Sequence, residues 1–332
     1  MGKLIAYLVC LAVAGIVALA FAPRDALSVT DSALNTERMQ INGLLNLRDR
    51  QLAVGERGAI LLSDDQGRTW QQATVEPQRN LSLTGITALT AAHLVAVGQD
   101  GWIVRSTDGG STWQEVQYDA EAGEPLLGAW AASDEQVFVF GSYGRFYRSD
   151  DGGQHWQAEA VDVDRSHLNA MDGDREGRRL VVGEQGLVLR SSDHGQHWQA
   201  LPKFYNGSLF GVARLSADSW VAYGMRGHVF VTHDFGSHWQ GVDTGSLQPL
   251  YGHVQLPDHA GVLIVGAGSS WVRLDGQGKL LGSGRQPGLG TLTSAMVMQD
   301  GQVRVAGERG VMQATGNSVA TVGKEGLVHD KH

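Results

Sequence analysis

Short stretches of apolar residues recur along most of the chain, and polar residues or glycines separate one stretch from the next. Residues 84–117 contain four of them, with the sequences TGITAL, HLVAVGQD, GWIVRST and TWQEVQ. β-Branched and aromatic residues are frequent in all four, and Gly or Asp lies between them, which is typical of short strands joined by tight turns. The pattern therefore predicts an all-β fold.

A motif of the form S/T-x-D-x-G-x-x-W occurs five times, and its successive aspartates are 43, 43, 42 and 41 residues apart. We expect each copy to form the turn between the third and fourth strands of a repeating unit. There the carboxylate accepts hydrogen bonds from turn amides, the Ser or Thr hydroxyl adds another, and the Trp ring is buried between this unit and the next. The motif residues predicted to be structural are Asp65, Trp70, Asp108, Trp113, Asp151, Trp156, Asp193, Trp198, Asp234 and Trp239.

Two further patterns extend the count from five units to seven. A Gly-x-x-Gly turn recurs in each unit, in a looser form around Gly266, and Asp275 keeps the register where the sixth motif has decayed. One blade cannot bury both of its faces, so stacked units of this length predict a seven-bladed β-propeller of four-stranded blades over residues 41–332. An apolar residue two positions before a small one marks the start of each blade, at Ile41, Leu83, Leu126, Leu168, Leu209, Leu250 and Leu292.

The chain begins with an uncharged apolar segment at residues 4–22. A helix of this length spans roughly 28 Å, close to the ~30 Å hydrocarbon core of a bilayer. A small-x-small triplet at residues 20–22 resembles a signal-peptidase site, but Pro23 fits poorly directly after a cut. We therefore predict a retained transmembrane signal-anchor helix over residues 1–22 and a linker over residues 23–40. A cleaved signal helix, which would give a secreted propeller, is the alternative.

The charges that flank this segment predict the side of the membrane on which the propeller lies. Lys3 favours a cytoplasmic N-terminus, whereas Arg24 on the far side weakens this bias. We predict a single-pass protein of the inner, or cytoplasmic, membrane whose propeller lies outside the cytoplasm, in the periplasm if the host is Gram-negative.

The composition of the 332-residue chain narrows the class of function. Only 18% of the residues are charged and Gly is abundant at 45, which favours a folded chain with many tight turns over long disorder. The net charge is −9 and no basic block occurs, whereas a nucleic-acid surface needs a positive field. We therefore expect no nucleic-acid partner. The only cysteine, Cys10, lies in the N-terminal segment, so the propeller can form no internal disulfide.

The S/T-x-D-x-G-x-x-W motifs, which follow a Gly-x-x-Gly turn in each unit, resemble those of the BNR or Asp-box β-propellers. Among these, the compact sevenfold spacing is similar to the photosystem II stability and assembly factor family of plastids and cyanobacteria, and to its relatives in non-photosynthetic bacteria. The resemblance implies a non-catalytic, membrane-associated assembly or accessory factor that binds a membrane-protein client. It implies an RND-type exporter as a partner in a non-photosynthetic host, and photosystem II only in a photosynthetic one.

One face of the predicted propeller is a candidate partner-binding surface. The turns between the second and third strands share this face with the entrances of the innermost strands, and the Asp-box turns lie on the opposite face. The resemblance implies an arginine-rich patch for the client, and interface hot spots are rich in arginine and aromatic residues. We predict partner binding by Arg57, Tyr143, Phe210, Arg226, Tyr251 and Arg309. The alternative is that such residues line a water-filled tunnel.

Sialidases also carry Asp boxes, so a sialidase-like glycan-binding protein or glycoside hydrolase is the alternative function. The chain has no Arg-Ile-Pro segment, and its near-constant spacing leaves no room for insertions that could form a catalytic pocket. A retaining pair of carboxylates must lie ~5 Å apart in one cleft. Glu56, Glu184 and Glu308 occupy equivalent turns of different blades, where we expect solvated side chains. We therefore predict that the chain is not an enzyme.

Several histidines precede the motif tryptophans, and His194 and His197 have a spacing that two ligands of one metal could have. However, side chains alternate along a strand, so a histidine beside a buried tryptophan should face solvent. We expect this of His155, His197 and His238. We therefore predict no metal site and no cofactor.

Overall fold

Seven β-sheets follow one another along residues 36–314, which are the residues that this computed structural model describes. Their innermost strands begin at the seven positions that the repeat predicted. Within each sheet the strands of one blade are antiparallel neighbours in chain order. The prediction of a seven-bladed β-propeller is therefore confirmed.

The strands of each of the first four blades run from the innermost to the outermost. Blade 1 contains β1 (Ile41–Asn46), β2 (Gln51–Gly55), β3 (Ile60–Ser63) and β4 (Gln71–Gln72). After β5 (Thr74–Glu76), blade 2 contains β6 (Leu83–Ala88), β7 (Leu94–Gly98), β8 (Ile103–Ser106) and β9 (Thr112–Gln117). Blade 3 contains β10 (Leu126–Ala131), β11 (Val137–Gly141), β12 (Phe146–Ser149) and β13 (Gln157–Ala158). Blade 4 contains β14 (Leu168–Gly173), β15 (Arg179–Gly183), β16 (Val188–Ser191) and β17 (Gln199–Ala200).

The remaining blades follow the same order. Blade 5 contains β18 (Leu209–Arg214), β19 (Trp220–Gly224), β20 (Val229–Thr232) and β21 (Gln240–Val242). Blade 6 contains β22 (Leu250–Gln255), β23 (Val262–Gly266), β24 (Ser270–Leu274) and β25 (Leu280–Arg285). Blade 7 contains β26 (Leu292–Val297), β27 (Val303–Gly307) and β28 (Gly310–Gln313). The helical turns within residues 36–314 are all 3₁₀ turns, at Thr36–Arg38, Glu56–Gly58, Gln99–Gly101, Ser142–Gly144, Glu184–Gly186, Met225–Gly227, Pro257–His259 and Ala267–Ser269.

Parts of the predicted domain organisation lie outside the described residues. These parts are the predicted signal-anchor helix at residues 1–22 and most of the linker at residues 23–40. Among residues 36–314, no helix has the length and apolar character of a membrane span. Blade 7 shows three strands in this range, because its predicted fourth strand falls on residues after 314.

Each interface between consecutive blades, from blades 1 and 2 to blades 6 and 7, contains an apolar core of its own. In blades 1 to 6 the second strand is buried along its whole length, because it faces a neighbouring blade on both sides. Leu52 and Val54 of β2 pack in one cluster with Leu94 and Trp102 of blade 2. Complete burial of a Val, Leu or Ile side chain stabilises the fold by about 1.5–3 kcal/mol. The stacking of blades is therefore the main source of stability.

Blades 7 and 1 close the ring without a shared strand in the described part of the chain. The hydroxyl of Thr293 in β26 donates to the carbonyl of Ile41 in β1 at 2.7 Å. The amide of Asn46 donates back to the carbonyl of Val297 at 2.7 Å. Hydrogen bonds between the first and last innermost strands therefore hold this junction.

The motif tryptophans pack in a direction that we did not predict. We expected each ring to be buried between its own blade and the next. Four of the five instead pack in a core shared with the preceding blade, where Trp113 is buried and Trp156, Trp198 and Trp239 are partly buried. Trp198 of blade 4 makes edge contacts with Phe138 and Phe146 of blade 3, with ring centroids 6.3 and 5.2 Å apart. The reason lies in the motif turn, whose glycine already touches the preceding blade, as Gly153 does at Val95. The tryptophan that follows this turn is directed the same way.

Candidate functional site

The five Asp-box turns, at residues 63–70, 106–113, 149–156, 191–198 and 232–239, define what we call the box face. In the first turn the hydroxyl of Ser63 donates to Asp65 Oδ1 at 2.8 Å, and the amide of Thr69 donates to the same oxygen at 2.9 Å. The other four turns repeat these two bonds. In blade 6, Asp275 still accepts from the amides of Gln277 and Lys279, both at 2.9 Å. Each carboxylate therefore braces its turn.

These hydrogen bonds also hold the carboxylates in their ionised form. In Asp234, bonds from the backbone and ring of His238 lower the pKa to about 2. The same two bonds from His197 keep the pKa of Asp193 well below its usual value. The side chains of His155, His197 and His238 are 88%, 87% and 89% exposed, as predicted, and each Nδ1 lies 2.6 Å from a motif Asp Oδ2.

Arginines of the preceding blade fasten several of these turns from the side. Arg105 Nε of blade 2 donates to the carbonyl of Gly152 in the blade 3 turn at 2.6 Å. Arg190 of blade 4 donates to the hydroxyl of Ser237 in the blade 5 turn at 3.1 Å. The Asp-box turns are thus engaged in bonds within and between blades.

The opposite face, which we call the turn face, carries the turns between second and third strands and the entrances of the innermost strands. In every blade the first turn residue donates its amide to the carbonyl just before the innermost strand. Glu184, for example, donates to His167 at 3.1 Å. The predicted grouping on one face is therefore confirmed. The residues of the turns are 56–58, 99–101, 142–144, 184–186, 225–227, 267–269 and 308–309.

A glycine before each of these turns permits this close approach of two backbones. A Cβ on Gly183 would lie 2.1 Å from the carbonyl oxygen of His167, and the six equivalent glycines have similar distances of 1.9–2.4 Å. In six blades the middle residue of the turn then adopts a left-handed conformation with φ of 51–60°. These middle residues are Arg57, Asp100, Tyr143, Gln185, Arg226 and Gly268.

The structure places four of the six predicted partner-binding residues in turns of alternate blades. Arg57, Tyr143 and Arg226 occupy the left-handed position in blades 1, 3 and 5, and all three are exposed. Arg309 lies in the two-residue turn of blade 7, where Nη1 donates to the carbonyl of Gly288 at 2.5 Å. The same left-handed backbone conformation thus carries a different kind of side chain at Tyr143 from that at Arg57 and Arg226.

Phe210 and Tyr251 are the two predicted residues that the structure brings into contact. They are the second residues of β18 and β22 in adjacent blades, and their ring centroids are 5.4 Å apart. Four other blades carry a polar residue at this position, and it donates to the next innermost strand, at Asn42, Thr84, Asn169 and Thr293. These four side chains therefore link neighbouring innermost strands by hydrogen bonds, which the rings of Phe210 and Tyr251 do not.

The turn face has a further exposed apolar residue, which the sequence analysis missed. Leu247 lies in the loop that leads into β22, and it is 79% exposed. The described residues contain four exposed large hydrophobic side chains, and three of them, Tyr143, Leu247 and Tyr251, lie on the turn face. The fourth, Leu281, lies on the outermost strand of blade 6. Its position between two polar residues, Ser246 and Gln248, in a predicted loop could have indicated an exposed apolar side chain.

Tyr143 belongs to a second small cluster on the turn face. Its ring packs edge-on against His167 at 4.8 Å, and the guanidinium of Arg165 lies 5.2 Å from the ring centroid. The Arg165 side chain is 77% exposed. This cluster places an exposed aromatic ring beside an exposed positive charge.

A sequence model of the photosynthesis system II assembly factor YCF48 matches residues 29–253, which is more than half of the chain. The chain belongs to this family. No curated protein sequence matches it.

Solved structures of the YCF48 family have the same fold. YCF48 bound to a D1 peptide is 16% identical, with a TM-score of 0.67 over 87% of this chain and 95% of that chain. YCF48 from Cyanidioschyzon merolae is 18% identical, with a TM-score of 0.65 over 83% and 95%. The WD40 propeller domain of Doa1, at 11% identity, reaches 0.66 over 85% and 94%. At these identities the likeness shows the fold alone.

The acidic residues considered for glycoside hydrolysis and the histidines considered for metal binding do not form one cluster in the described residues. Glu56, Glu184 and Glu308 lie in turns of blades 1, 4 and 7, and Glu184 accepts from the amide of His167 at 3.1 Å. His197 bonds to Asp193 in its own turn. Among residues 36–314, no three His, Cys, Asp or Glu side chains are grouped so that they could hold a metal ion.

Proposed function

We propose that this protein is a non-catalytic assembly or accessory factor that binds a membrane-protein client through its turn face. Its membership of the YCF48 family, over residues 29–253, is the observation that carries the proposal. A solved member with the same fold is bound to a D1 peptide, which supports a client segment as the bound partner here.

The physical properties of the turn face support this role. Phe210, Tyr251 and Leu247 present apolar surface at two adjacent blades, and exposed apolar patches on soluble domains mark interaction sites. The turn that contains Arg226 lies beside Phe210, because the amide of Met225 donates to the carbonyl of Ser208, two residues before Phe210. An aromatic anchor beside an arginine is the usual composition of an interface hot spot. Arg57, Tyr143 and Arg309 extend the surface around the ring.

The N-terminal segment supports a location at the membrane. Residues 4–22 are long and apolar enough to serve as a single-pass anchor, which would keep the propeller close to a membrane-embedded client. We propose an extracytoplasmic propeller at the inner membrane. Resistance to carbonate extraction, together with an intact mass that includes residues 1–22, would distinguish this anchored form from a secreted one.

The client class depends on the host, and we propose an RND-type exporter in a non-photosynthetic bacterium and photosystem II in a photosynthetic one. The full-length protein, purified from solubilised membranes with its client, tests the binding surface. Substitution of both aromatic residues, Phe210→Ala and Tyr251→Ala, should reduce client recovery by at least tenfold, because the apolar anchor is lost.

Leu281→Ala is the matched control for this double substitution. It also removes an exposed apolar side chain, but from the outermost strand of blade 6. Client recovery with Leu281→Ala should equal that of the wild type. Undiminished recovery with the double variant would exclude the turn face as the docking surface.

A further inference from the structure

The first residue of the second strand is an arginine in blade 4, although this position lies deep between blades. Arg179 is only 1% exposed. The equivalent residue in blade 1 is Gln51. In the other five blades it is apolar: Leu94, Val137, Trp220, Val262 and Val303. In a repeat protein, a departure of this kind at a buried position requires a local reason.

The partners of Arg179 are neutral. Its Nη2 donates to Gln136 Oε1 at 2.6 Å, and its Nη1 donates to the carbonyl of His194. The guanidinium carbon lies 4.8 Å from the ring centroid of Phe138 and 5.5 Å from that of Trp130. Nε has no hydrogen-bond partner, and no carboxylate of residues 36–314 forms an ion pair with the side chain. Three of the five N–H donors are therefore unused.

Burial of this charge is unfavourable, and it lowers the pKa of Arg179 to about 10. Asp150, Asp174 and Asp193 favour the charged form from beyond ion-pair distance, while Arg148 opposes it. A buried cation without an ion-pair partner costs several kcal/mol unless another group compensates it. An anion that reaches the guanidinium would supply this compensation.

A cavity of about 1440 Å³ opens on the box face at this arginine. Its wall includes Arg179, both of its hydrogen-bond partners and Trp130, and its rim includes the acidic side chains of Asp134, Glu135 and Glu176. The rim carboxylates are exposed and form no ion pair within the described part of the chain. The cavity therefore has a buried cation in its wall and carboxylates without ion pairs at its rim, together with Arg175 and Arg214.

We propose that this cavity is a second binding site, separate from the turn face, for an extended peptide segment that carries an acidic residue close to a basic one. The acidic side chain binds the free N–H groups of Arg179, because a guanidinium recognises a carboxylate with paired hydrogen bonds. The basic side chain meets the rim carboxylates. The volume exceeds the roughly 300–1,000 Å³ of small-molecule pockets, which favours a chain segment.

The competing explanation is that Arg179 is only structural, because it links blade 4 to blade 3 through Gln136 and to the Asp-box turn of its own blade through His194. The two explanations predict different results for Arg179→Met, which restores the apolar character of the other blades. If the arginine is only a link, the variant changes stability and leaves peptide binding untouched. If the arginine binds a ligand, peptide binding is lost.

Three short peptides, acetyl-Ala-Glu-Ala-Lys-Ala-amide and its counterparts with Gln for Glu or norleucine for Lys, are suitable probes for the full-length protein. Saturation-transfer NMR should give at least tenfold weaker binding for the Gln peptide and several-fold weaker binding for the norleucine peptide. Equal binding of all three peptides to the wild type would overturn the proposal without any variant.

Arg179→Met should weaken binding of the Glu peptide at least tenfold, and unchanged binding would also overturn the proposal. Arg190→Met is the matched control, because Arg190 links blade 4 to the blade 5 turn outside this cavity. The variant with Phe210→Ala and Tyr251→Ala should bind the peptide normally. Failure of this site is thereby distinguishable from failure of the turn face.

Discussion

The two faces of this propeller are built from the same repeat, but they differ in which part of the turn is the same from blade to blade. On the box face, side chains repeat, and five carboxylates make the same hydrogen bonds in five turns. On the turn face, the backbone repeats while the middle side chain changes from Arg to Asp, Tyr, Gln and Gly. Side chains therefore hold the turns on the box face, whereas the backbone holds them on the turn face.

The difference follows from what holds each turn in place. A box turn is held by its aspartate, whose side chain accepts from the Ser or Thr hydroxyl and from a turn amide in all five copies. A turn on the other face is held by a backbone hydrogen bond and by a glycine that leaves room for it. The side chain of the middle residue takes part in neither the backbone hydrogen bond nor the close approach at the glycine. It can therefore differ between blades and contact a partner.

The largest effect on stability is expected at the glycine that permits the backbone contact. In Gly183→Ala, the new Cβ would lie 2.1 Å from the carbonyl oxygen of His167, and the bond from Glu184 would be broken. Relief of this overlap requires a backbone shift, so we expect the free energy of unfolding to fall by about 2–4 kcal/mol. Urea denaturation followed by tryptophan fluorescence measures it.

Gly241→Ala is the control for this substitution. Gly241 lies in β21, where the nearest atom to a new Cβ is on Phe230 at 3.9 Å, an ordinary contact distance. This variant should unfold within about 1 kcal/mol of the wild type. Equal losses in the two variants would show that the close approach at Gly183 has no special importance.

A smaller loss is expected at the box face. Asp151→Ala removes the acceptor for the hydroxyl of Ser149, the amides of Gln154 and His155, and the ring of His155. We expect the free energy of unfolding to fall by roughly 1–3 kcal/mol, while client binding at the turn face is retained. Thermal melting and client recovery, measured on the same preparation, test both parts.

The contribution of Asp151 should also depend on pH. Burial alone would raise its pKa, but the bonds from His155, Ser149 and Gln154 outweigh this and keep the pKa well below the usual value. The stabilisation is therefore present above pH ~4 and is lost as the pH falls below it. The difference between wild type and variant should shrink from pH 6 to pH 2.5. Asp162→Ala, at an exposed carboxylate without a hydrogen bond to the described residues, should show neither effect.

Much of the fold could be predicted because the same sequence pattern recurs in seven units. The seven blade starts, the Asp-box turns and the assignment of two faces needed only spacing and turn chemistry. The short strand β5 (Thr74–Glu76) was not predicted, because it pairs in parallel with β9 of the next blade and depends on a contact distant in sequence. The packing of Trp198 on the preceding blade also depends on how blades stack.

Less of the candidate site could be predicted, because a site is a departure from the repeat. Phe210 and Tyr251 were predicted because they differ from the polar residues that most blades have at the same position. Leu247 was missed because a loop residue has no counterpart with which it can be compared. Arg179 stands at an alignable position, and a comparison of all seven second strands would have revealed it.

The smallest effect on stability is expected at the middle residue of a turn. Tyr143→Gly exchanges a left-handed tyrosine, with φ of 55°, for the residue that blade 6 already has there as Gly268, with φ of 60°. Glycine adopts this conformation without the strain that tyrosine has, but it loses more conformational entropy on folding than tyrosine does. The two effects are each about 1 kcal/mol and oppose each other. The free energy of unfolding should therefore stay within about 1 kcal/mol of the wild type, while client recovery falls because the exposed ring is lost.

Gly144→Ala, one residue further, should behave in the opposite way. Gly144 has φ of +76°, and a Cβ there would lie 2.7 Å from a methyl group of Val163, so this variant should be clearly destabilised. A stable Tyr143→Gly protein that still recovers the client in full would remove Tyr143 from the docking surface. A strongly destabilised one would show that the middle residue also supports the turn, and the proposed division between the two faces would then fail.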